Sequence, residues 1–206
     1  MSNRIDTLLA RIDALTDELE DEIAQRRKVF AYRMEGRRAR FEAGVLQRHR
    51  AIRQGWLSFL ARARLSHVIT APVIYSLIVP FVLLDLWVSL YQAICFRAYG
   101  IPRVRRADHI RIDRHRLAYL NALQKLNCIY CGYCNGLISY VREIASRTEA
   151  FWCPIKHAGP VRHPHRRYAQ FMDYGDGEGF HEGLAASRKD VTRPDPPGAA
   201  RAGDEG

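Results

Sequence analysis

The cysteines of this chain are concentrated in one short stretch. Four of the five lie within a 26-residue window, at Cys128, Cys131, Cys134 and Cys153. The first two form a Cys-x2-Cys pair, a spacing that lets a turn direct two sulfurs at one tetrahedral metal ion. His157 follows the last by four positions and adds an imidazole. Thiolates suit both zinc and iron–sulfur chemistry, so these residue types predict a metal site without choosing the metal.

The first pair lies in a string that resembles a known metal-binding turn. CIYCGY, which begins at Cys128, resembles the C-x-x-C-G-Y knuckle of rubredoxins and zinc ribbons, and the Cys-Pro pair at Cys153 resembles the start of their second knuckle. Rubredoxins place another cysteine where this chain has Lys156. With His157 in its place, the resemblance implies a structural zinc site, with iron as the alternative metal. Its ligands would be Cys128, Cys131, Cys153 and His157.

Cys134 supports a second interpretation, in which thiolates hold an iron–sulfur cluster. With this residue the cysteines read C-x2-C-x2-C-x18-C-P, which is similar to part of a bacterial ferredoxin run. A [4Fe-4S] cluster would then bind Cys134, and His157 would not be a ligand. Two simpler interpretations stay open: reduced cysteines that pack as small apolar side chains, and a disulfide or redox-active pair.

Residues 127–158 are also similar to a segment of uncharacterised bacterial inner-membrane proteins. The similarity consists of an NCxYC motif and a WCPIKH motif, and it implies no known activity. It does imply that the cysteine segment and a membrane segment belong to one protein.

The predicted membrane segment spans residues 67–97. Residues 68–96 contain one charged side chain, Asp85, and their length exceeds the roughly 20 residues that a spanning helix needs. Pro80 predicts a kink. Because both flanks are rich in arginine, the positive-inside rule favours a re-entrant helix bent at Pro80, with a single kinked span as the alternative. In either case Asp85 needs a partner or water.

Residues 1–66 are predicted to form a long charged amphipathic helix. Seven acidic residues against two arginines give residues 1–25 a net charge of −5, and twelve Lys/Arg against two glutamates give residues 26–66 a net charge of +10. We predict that the first part binds a protein partner or a second copy and that the second faces anionic lipid. Binding of nucleic acid by the basic segment is a weaker prediction, because net charge alone says little about the partner. A stripe typical of a short coiled-coil seam is formed by Ile5, Leu8, Ile12, Leu15 and Leu19.

Composition excludes several classes of protein. A chain of 206 residues with 48% hydrophobic residues is not disordered as a whole, and five cysteines are too few for a small secreted disulfide protein. The N-terminus lacks the layout of a secretory signal. Residues 188–206 are nearly free of apolar side chains and are predicted to be disordered. The sequence contains no nucleotide-binding loop, nucleophile elbow or HExxH motif.

Together these features predict a mainly α protein. Its parts are a helix over 1–66, a kinked or re-entrant membrane helix over 67–97, a small helical cytoplasmic domain with the metal knuckle over 98–187, and a disordered tail over 188–206. The predicted function is that of an accessory or scaffold protein anchored in the bacterial inner membrane, which binds a partner through its N-terminal helix. The alternatives are a membrane-associated electron-transfer protein with an iron or iron–sulfur centre and, less favoured, a membrane enzyme acting on a lipid-linked substrate.

Overall fold

A computed structural model describes residues 2–30, 32–35 and 38–195, and this part of the chain is mainly helical. Two short strands, β1 (Tyr32–Glu35) and β2 (Arg38–Phe41), form an antiparallel hairpin with Tyr32 opposite Phe41. The α-helices in chain order are α1 (Ser2–Val29), α2 (Ala43–Ala51), α3 (Trp56–Ala61), α4 (Leu65–Ser76), α5 (Ile78–Tyr91), α6 (Arg97–Tyr99), α7 (Arg106–His109), α8 (Ala122–Trp152) and α9 (Phe180–Val191).

The N-terminal region is not the single helix predicted over residues 1–66. The first helix ends at Val29, and the hairpin and two short helices follow it. Gly55, a residue type that weakens helices, caps the start of α3. As a result, Phe41 and Val45 lie in different elements, β2 and α2, and not on one helix.

A 35-residue helix, Leu65–Tyr99, runs through α4, α5, a π-helical turn at Gln92–Phe96 and α6. We term it the apolar helix. It is long and apolar enough to span a membrane, and only 6% of its most apolar 18-residue window is buried inside the protein. Its regular α-helical pattern is interrupted at Leu77, and Pro80 then lies in the first turn of α5, where a missing N–H is tolerated.

The central element of the C-terminal part is α8, which begins with a capping box. The Asn121 side chain accepts a hydrogen bond from the Gln124 N–H at 2.9 Å, and the Gln124 side chain accepts one from the Asn121 N–H at 3.0 Å. This exchange satisfies two backbone donors at the helix start. The helix then continues for 31 residues.

The structure does not show the turn predicted at Cys128 and Cys131, because α8 passes through the cysteine segment without a break. Its two glycines are needed for close packing and not for a turn. A Cβ atom at Gly136 would lie 2.7 Å from the Ile110 Cα, and one at Gly132 would lie 3.1 Å from the Arg111 carbonyl oxygen. Glycine therefore lets another segment of backbone approach α8.

The apolar helix and α8 lie side by side and run in the same direction. Tyr75 contacts Tyr130 near the start of the pair, and the Tyr91 hydroxyl is 2.9 Å from the Thr148 hydroxyl further along. Residues 100–121, which we term the return segment, run back along both helices to reach the start of α8. The core formed by these elements and the C-terminal region contains Phe96, Ile101, Val104, Leu137, Tyr140, Ile144, Ala150, Phe171 and Val191.

A buried glutamine in the π-helical turn joins the three elements. The Gln92 side chain accepts a hydrogen bond from the Val104 N–H at 3.0 Å and donates to the Val104 carbonyl at 3.4 Å. It also donates to the Tyr140 hydroxyl. Gln92 therefore satisfies backbone groups of the return segment that the core would otherwise leave unpaired.

The C-terminal helix α9 packs against the end of α8. The Ser187 hydroxyl donates to the Ala150 carbonyl at 2.7 Å, and Arg188 donates to the Phe151 carbonyl at 2.9 Å. The predicted disordered tail, 188–206, therefore begins too early, because residues 188–191 are helical. Residues 196–206 of that prediction lie outside the described residues.

Candidate functional site

The structure separates the predicted metal ligands. Cys128 and Cys131 lie in the first third of α8, whereas Cys153 caps its C-terminus. The 22 residues from Cys131 to Cys153 correspond to about 33 Å along a helix. His157 lies beyond the helix, where its backbone N–H donates to the Tyr168 hydroxyl at 2.8 Å. The four predicted ligands are not brought together, and the described residues contain no group of three His, Cys, Asp or Glu side chains placed to hold a metal ion.

The cysteines on α8 differ in their surroundings. Cys134 is buried, Cys131 is exposed and Cys128 is intermediate, and all of them are free thiols. Burial raises the pKa of the Cys134 thiol above its usual range, so this side chain is protonated near neutral pH. That arrangement matches the interpretation of Cys134 as a small apolar packing residue.

The acidic side chain of the apolar helix is surrounded by hydrogen-bond donors. Arg106 donates to both carboxylate oxygens of Asp85, at 3.2 Å to Oδ1 and 2.6 Å to Oδ2. The Tyr133 hydroxyl donates to Oδ2 at 2.9 Å. The side chain of Asp85 is 12% exposed. The expectation that this carboxylate needs a partner is confirmed, and its two strongest partners come from the return segment and α8.

This cluster is an ion pair whose two donors, Arg106 and Tyr133, stay protonated. The hydrogen bonds from Arg106 to Asp85 raise the pKa of the guanidinium, and burial, followed by the bond to Asp85, raises the pKa of the Tyr133 phenol. Both donors therefore keep their protons across the physiological range. The arrangement can hold a carboxylate next to an apolar surface and can join α8 and the return segment to the apolar helix.

A second polar cluster, centred on Arg147, joins α8 to the rest of the C-terminal part. Its guanidinium donates to Glu143, to the Pro102 carbonyl and to Asp195, each at 2.9 Å. Arg167 lies 2.9 Å from the same glutamate. Burial tends to raise the pKa of Glu143, but Arg147 and Arg167 together hold it below its usual range. The i, i+4 spacing of Glu143 and Arg147 was the one sequence signal for this cluster.

Comparison of the chain with family models, with curated proteins and with solved structures gives no match in any of the three. The local resemblances of the cysteine segment therefore stay predictions. Any functional assignment has to rest on the surfaces and contacts of this chain.

One such surface lies along the apolar helix. Thirteen of its large apolar side chains are each at least 41% exposed, an extent that is unusual for a protein in water. They are Leu65, Val68, Ile69, Val73, Ile74, Leu77, Val79, Val82, Leu83, Leu86, Trp87, Leu90 and Ile94.

Proposed function

We propose that this protein is a membrane-associated accessory or scaffold protein of the bacterial inner membrane, anchored by the apolar helix and joined to a partner through α1. The observation that carries the proposal is the contrast between a C-terminal part with paired buried charges and two apolar surfaces that the chain leaves uncovered. Apolar surface of this extent is stabilised by contact with lipid or with another protein.

The apolar helix supplies the anchor. It is the candidate span of the described chain, and the charge that it carries is already neutralised by Arg106 and Tyr133. A free carboxylate in the middle of such a helix would oppose insertion. Arginine-rich segments on both sides of the helix support a cytoplasmic position for the C-terminal part.

The α1 helix supplies the second surface, and a second copy of this chain fits it best. Ile5 and Ile12 occupy the a positions of two heptads, and Leu8 and Leu15 occupy the d positions, a combination that favours parallel two-stranded coiled coils. All four side chains are between 41% and 57% exposed. A seam of about three heptads is marginal in solution, but anchoring both copies to one membrane raises their effective concentration.

The proposal does not include a structural metal site. The electron-transfer alternative also requires Cys153 to share a centre with the cysteines of α8, and the 31-residue helix stands between them. A scaffold role requires neither zinc nor an iron–sulfur cluster.

Two differently tagged copies of the full chain, co-expressed in bacteria, test this function. We expect both in the membrane fraction, and we expect each tag to purify the other after mild solubilisation. Leu15→Glu should abolish the co-purification, whereas Ala14→Glu, which adds the same charge at a c position outside the seam, should preserve it.

Two outcomes would contradict the proposal in different ways. Protein that stays in the soluble fraction would remove the anchoring role. Membrane-bound protein that never co-purifies with its second copy, or that loses the second copy equally in both variants, would remove α1 as the self-association surface.

A further inference from the structure

We infer that the short helix α3 is an interfacial anchor, which lies at the boundary between the hydrocarbon and the acidic headgroups of a membrane, beside the start of the apolar helix. This inference rests on the proposed membrane association and adds to it a second lipid-binding element and the kind of lipid. It does not depend on whether the apolar helix crosses the bilayer. Three features carry it: the exposed side chains of α3, the arginines around it and its short connection to the apolar helix.

The apolar side of α3 is open. All six residues of this helix are described, and none of them is buried. Trp56, Leu57 and Leu60 are 51%, 64% and 42% exposed. At about 100° per residue these three side chains share an arc of about 100°, and Ser58 lies on the other side of the helix. Large apolar side chains grouped in this way indicate a surface that lipid or another protein covers.

Local hydrogen bonds define both ends of α3. At the start, the Ser58 hydroxyl and the Phe59 N–H donate to the Gly55 carbonyl, at 2.9 Å and 3.0 Å. At the end, the Ala63 N–H donates to the Leu60 carbonyl at 3.0 Å. The apolar side chains are therefore presented together from one short helix and not from an extended segment.

Basic side chains flank α3, and acidic ones do not. Residues 54–61 are uncharged, and residues 43–84 contain no acidic side chain. Tryptophan and leucine beside arginines that acidic neighbours do not oppose are typical of segments that lie on anionic membranes, so lipid fits this surface better than a second protein does. Four exposed arginines stand on the two sides of the uncharged stretch: Arg50, Arg53, Arg62 and Arg64.

The connection to the apolar helix keeps α3 close to the lipid. Three residues, Arg62–Arg64, separate Ala61 at the end of α3 from Leu65 at the start of the apolar helix. The four steps along the backbone reach at most about 14 Å. Leu65 is 73% exposed, so exposed apolar side chains stand on both sides of this connection. Lipid that covers the start of the apolar helix is therefore within reach of α3.

The length of α3 places it along the boundary and not across the core. Six residues measure about 9 Å, against a hydrocarbon core of about 30 Å. An interfacial helix lies with its apolar side about 5–10 Å into the boundary and its basic side chains among the headgroups. Tryptophan is enriched at this depth, which is the depth that the inference assigns to Trp56.

The tryptophans of the chain test this position. There are three, at Trp56, Trp87 and Trp152, so two substitutions leave one reporter. Full-length protein with Trp87→Phe and Trp152→Phe reports on α3, and protein with Trp56→Phe and Trp152→Phe reports on the apolar helix, where Trp87 is 74% exposed. Both would be reconstituted into vesicles of phosphatidylcholine and phosphatidylglycerol brominated in the upper or the lower part of the acyl chains.

We expect bromine to quench both reporters, and we expect the upper bromines to quench Trp56 more than the lower ones do. A paired substitution, Leu57→Ser with Leu60→Ser, removes two of the three large apolar side chains of α3. It should abolish most of the quenching of Trp56 and leave the quenching of Trp87 unchanged, which separates binding by α3 from anchoring by the apolar helix. Vesicles without phosphatidylglycerol should quench Trp56 less.

Each other result overturns a defined part of the inference. Quenching of Trp87 without quenching of Trp56 overturns the interfacial anchor but keeps the proposed membrane association, and absence of quenching in both proteins overturns that association as well. Stronger quenching of Trp56 by the lower bromines overturns the boundary position. Quenching of Trp56 that persists in the Leu57→Ser, Leu60→Ser protein overturns the role of the apolar side of α3. Equal quenching in phosphatidylcholine alone overturns the preference for acidic lipid.

Discussion

Two long helices of this protein, α1 and α8, have similar lengths and similar apolar spacing but opposite surroundings. In α8 the side chains of Leu137, Tyr140 and Ile144 are at most 1% exposed, whereas in α1 Ile12 and Leu15 are each 57% exposed. The apolar face of α8 is covered by three elements that pack on it: the apolar helix, the return segment and α9. Apolar periodicity therefore identifies the face of a helix that avoids water, and the tertiary fold decides whether the same chain covers it.

The same difference distinguishes side chains that stabilise the fold from side chains that are available for association. Buried side chains of α8 contribute to the free energy of unfolding, since unfolding returns them to water. Exposed side chains of α1 contribute little to it and are available to a second chain. Substitutions matched between buried and exposed positions measure this separation directly.

The largest effect is expected from the core of α8. Leu137→Ala should lower the free energy of unfolding by about 2–5 kcal/mol because it leaves a cavity at a side chain that is fully buried. Ile138→Ala, one position along the helix and 51% exposed, should change it by no more than about 0.5 kcal/mol. Chemical unfolding in a mild detergent measures both. Equal losses would mean that α8 does not present the face described here to the core.

The Arg147 cluster should produce the next largest effect. Arg147→Lys keeps the charge but cannot reach Glu143, Asp195 and the Pro102 carbonyl at once, so we expect a loss of about 1–3 kcal/mol. Arg142→Lys, at an exposed position on the same helix where the guanidinium donates one hydrogen bond, to the His163 carbonyl at 2.6 Å, is the control and should cost less. If the two substitutions gave the same midpoint in urea, Arg147 would not be joining these elements.

The acid sensitivity of the C-terminal part should depend on Glu143. Arg147 and Arg167 lower its pKa in the folded protein, against burial, below the value of 4.5 that is usual for a glutamate. The unfolded chain then binds the proton more readily, so this stabilisation is complete above about pH 4.5 and is lost as the pH falls through the folded pKa. Urea midpoints of the native chain and of Glu143→Gln should therefore converge on acidification. A gap between them that stays constant with pH would contradict the ion pair.

Sequence patterns predicted the elements that form because of the composition or spacing of their own residues. The apolar helix follows from composition alone, and the stripe of α1 follows from spacing. The partner of Asp85 was not predictable, because Arg106 is 21 positions away and reaches it only after the return segment has folded back. Gly132 was misinterpreted for the same reason: after Cys131 in CIYCGY it resembles the glycine of a metal-binding turn, whereas in the fold it makes room for the backbone of residue 111.

The smallest effect is expected at the predicted metal ligands. Since α8 is continuous between Cys131 and Cys153, we expect a zinc chelator to leave the Tm of the purified protein unchanged. Cys153→Ser, at an exposed position, should change the free energy of unfolding by no more than about 0.5 kcal/mol. Elemental analysis and thermal unfolding measure both effects.

Bound zinc that is lost in Cys153→Ser, with a fall in Tm, would contradict this expectation and restore the Cys128–Cys131–Cys153–His157 site. It would also require α8 to break near its glycines, which would withdraw Gly136 from its close contact with Ile110, so the metal site and this packing of α8 exclude each other.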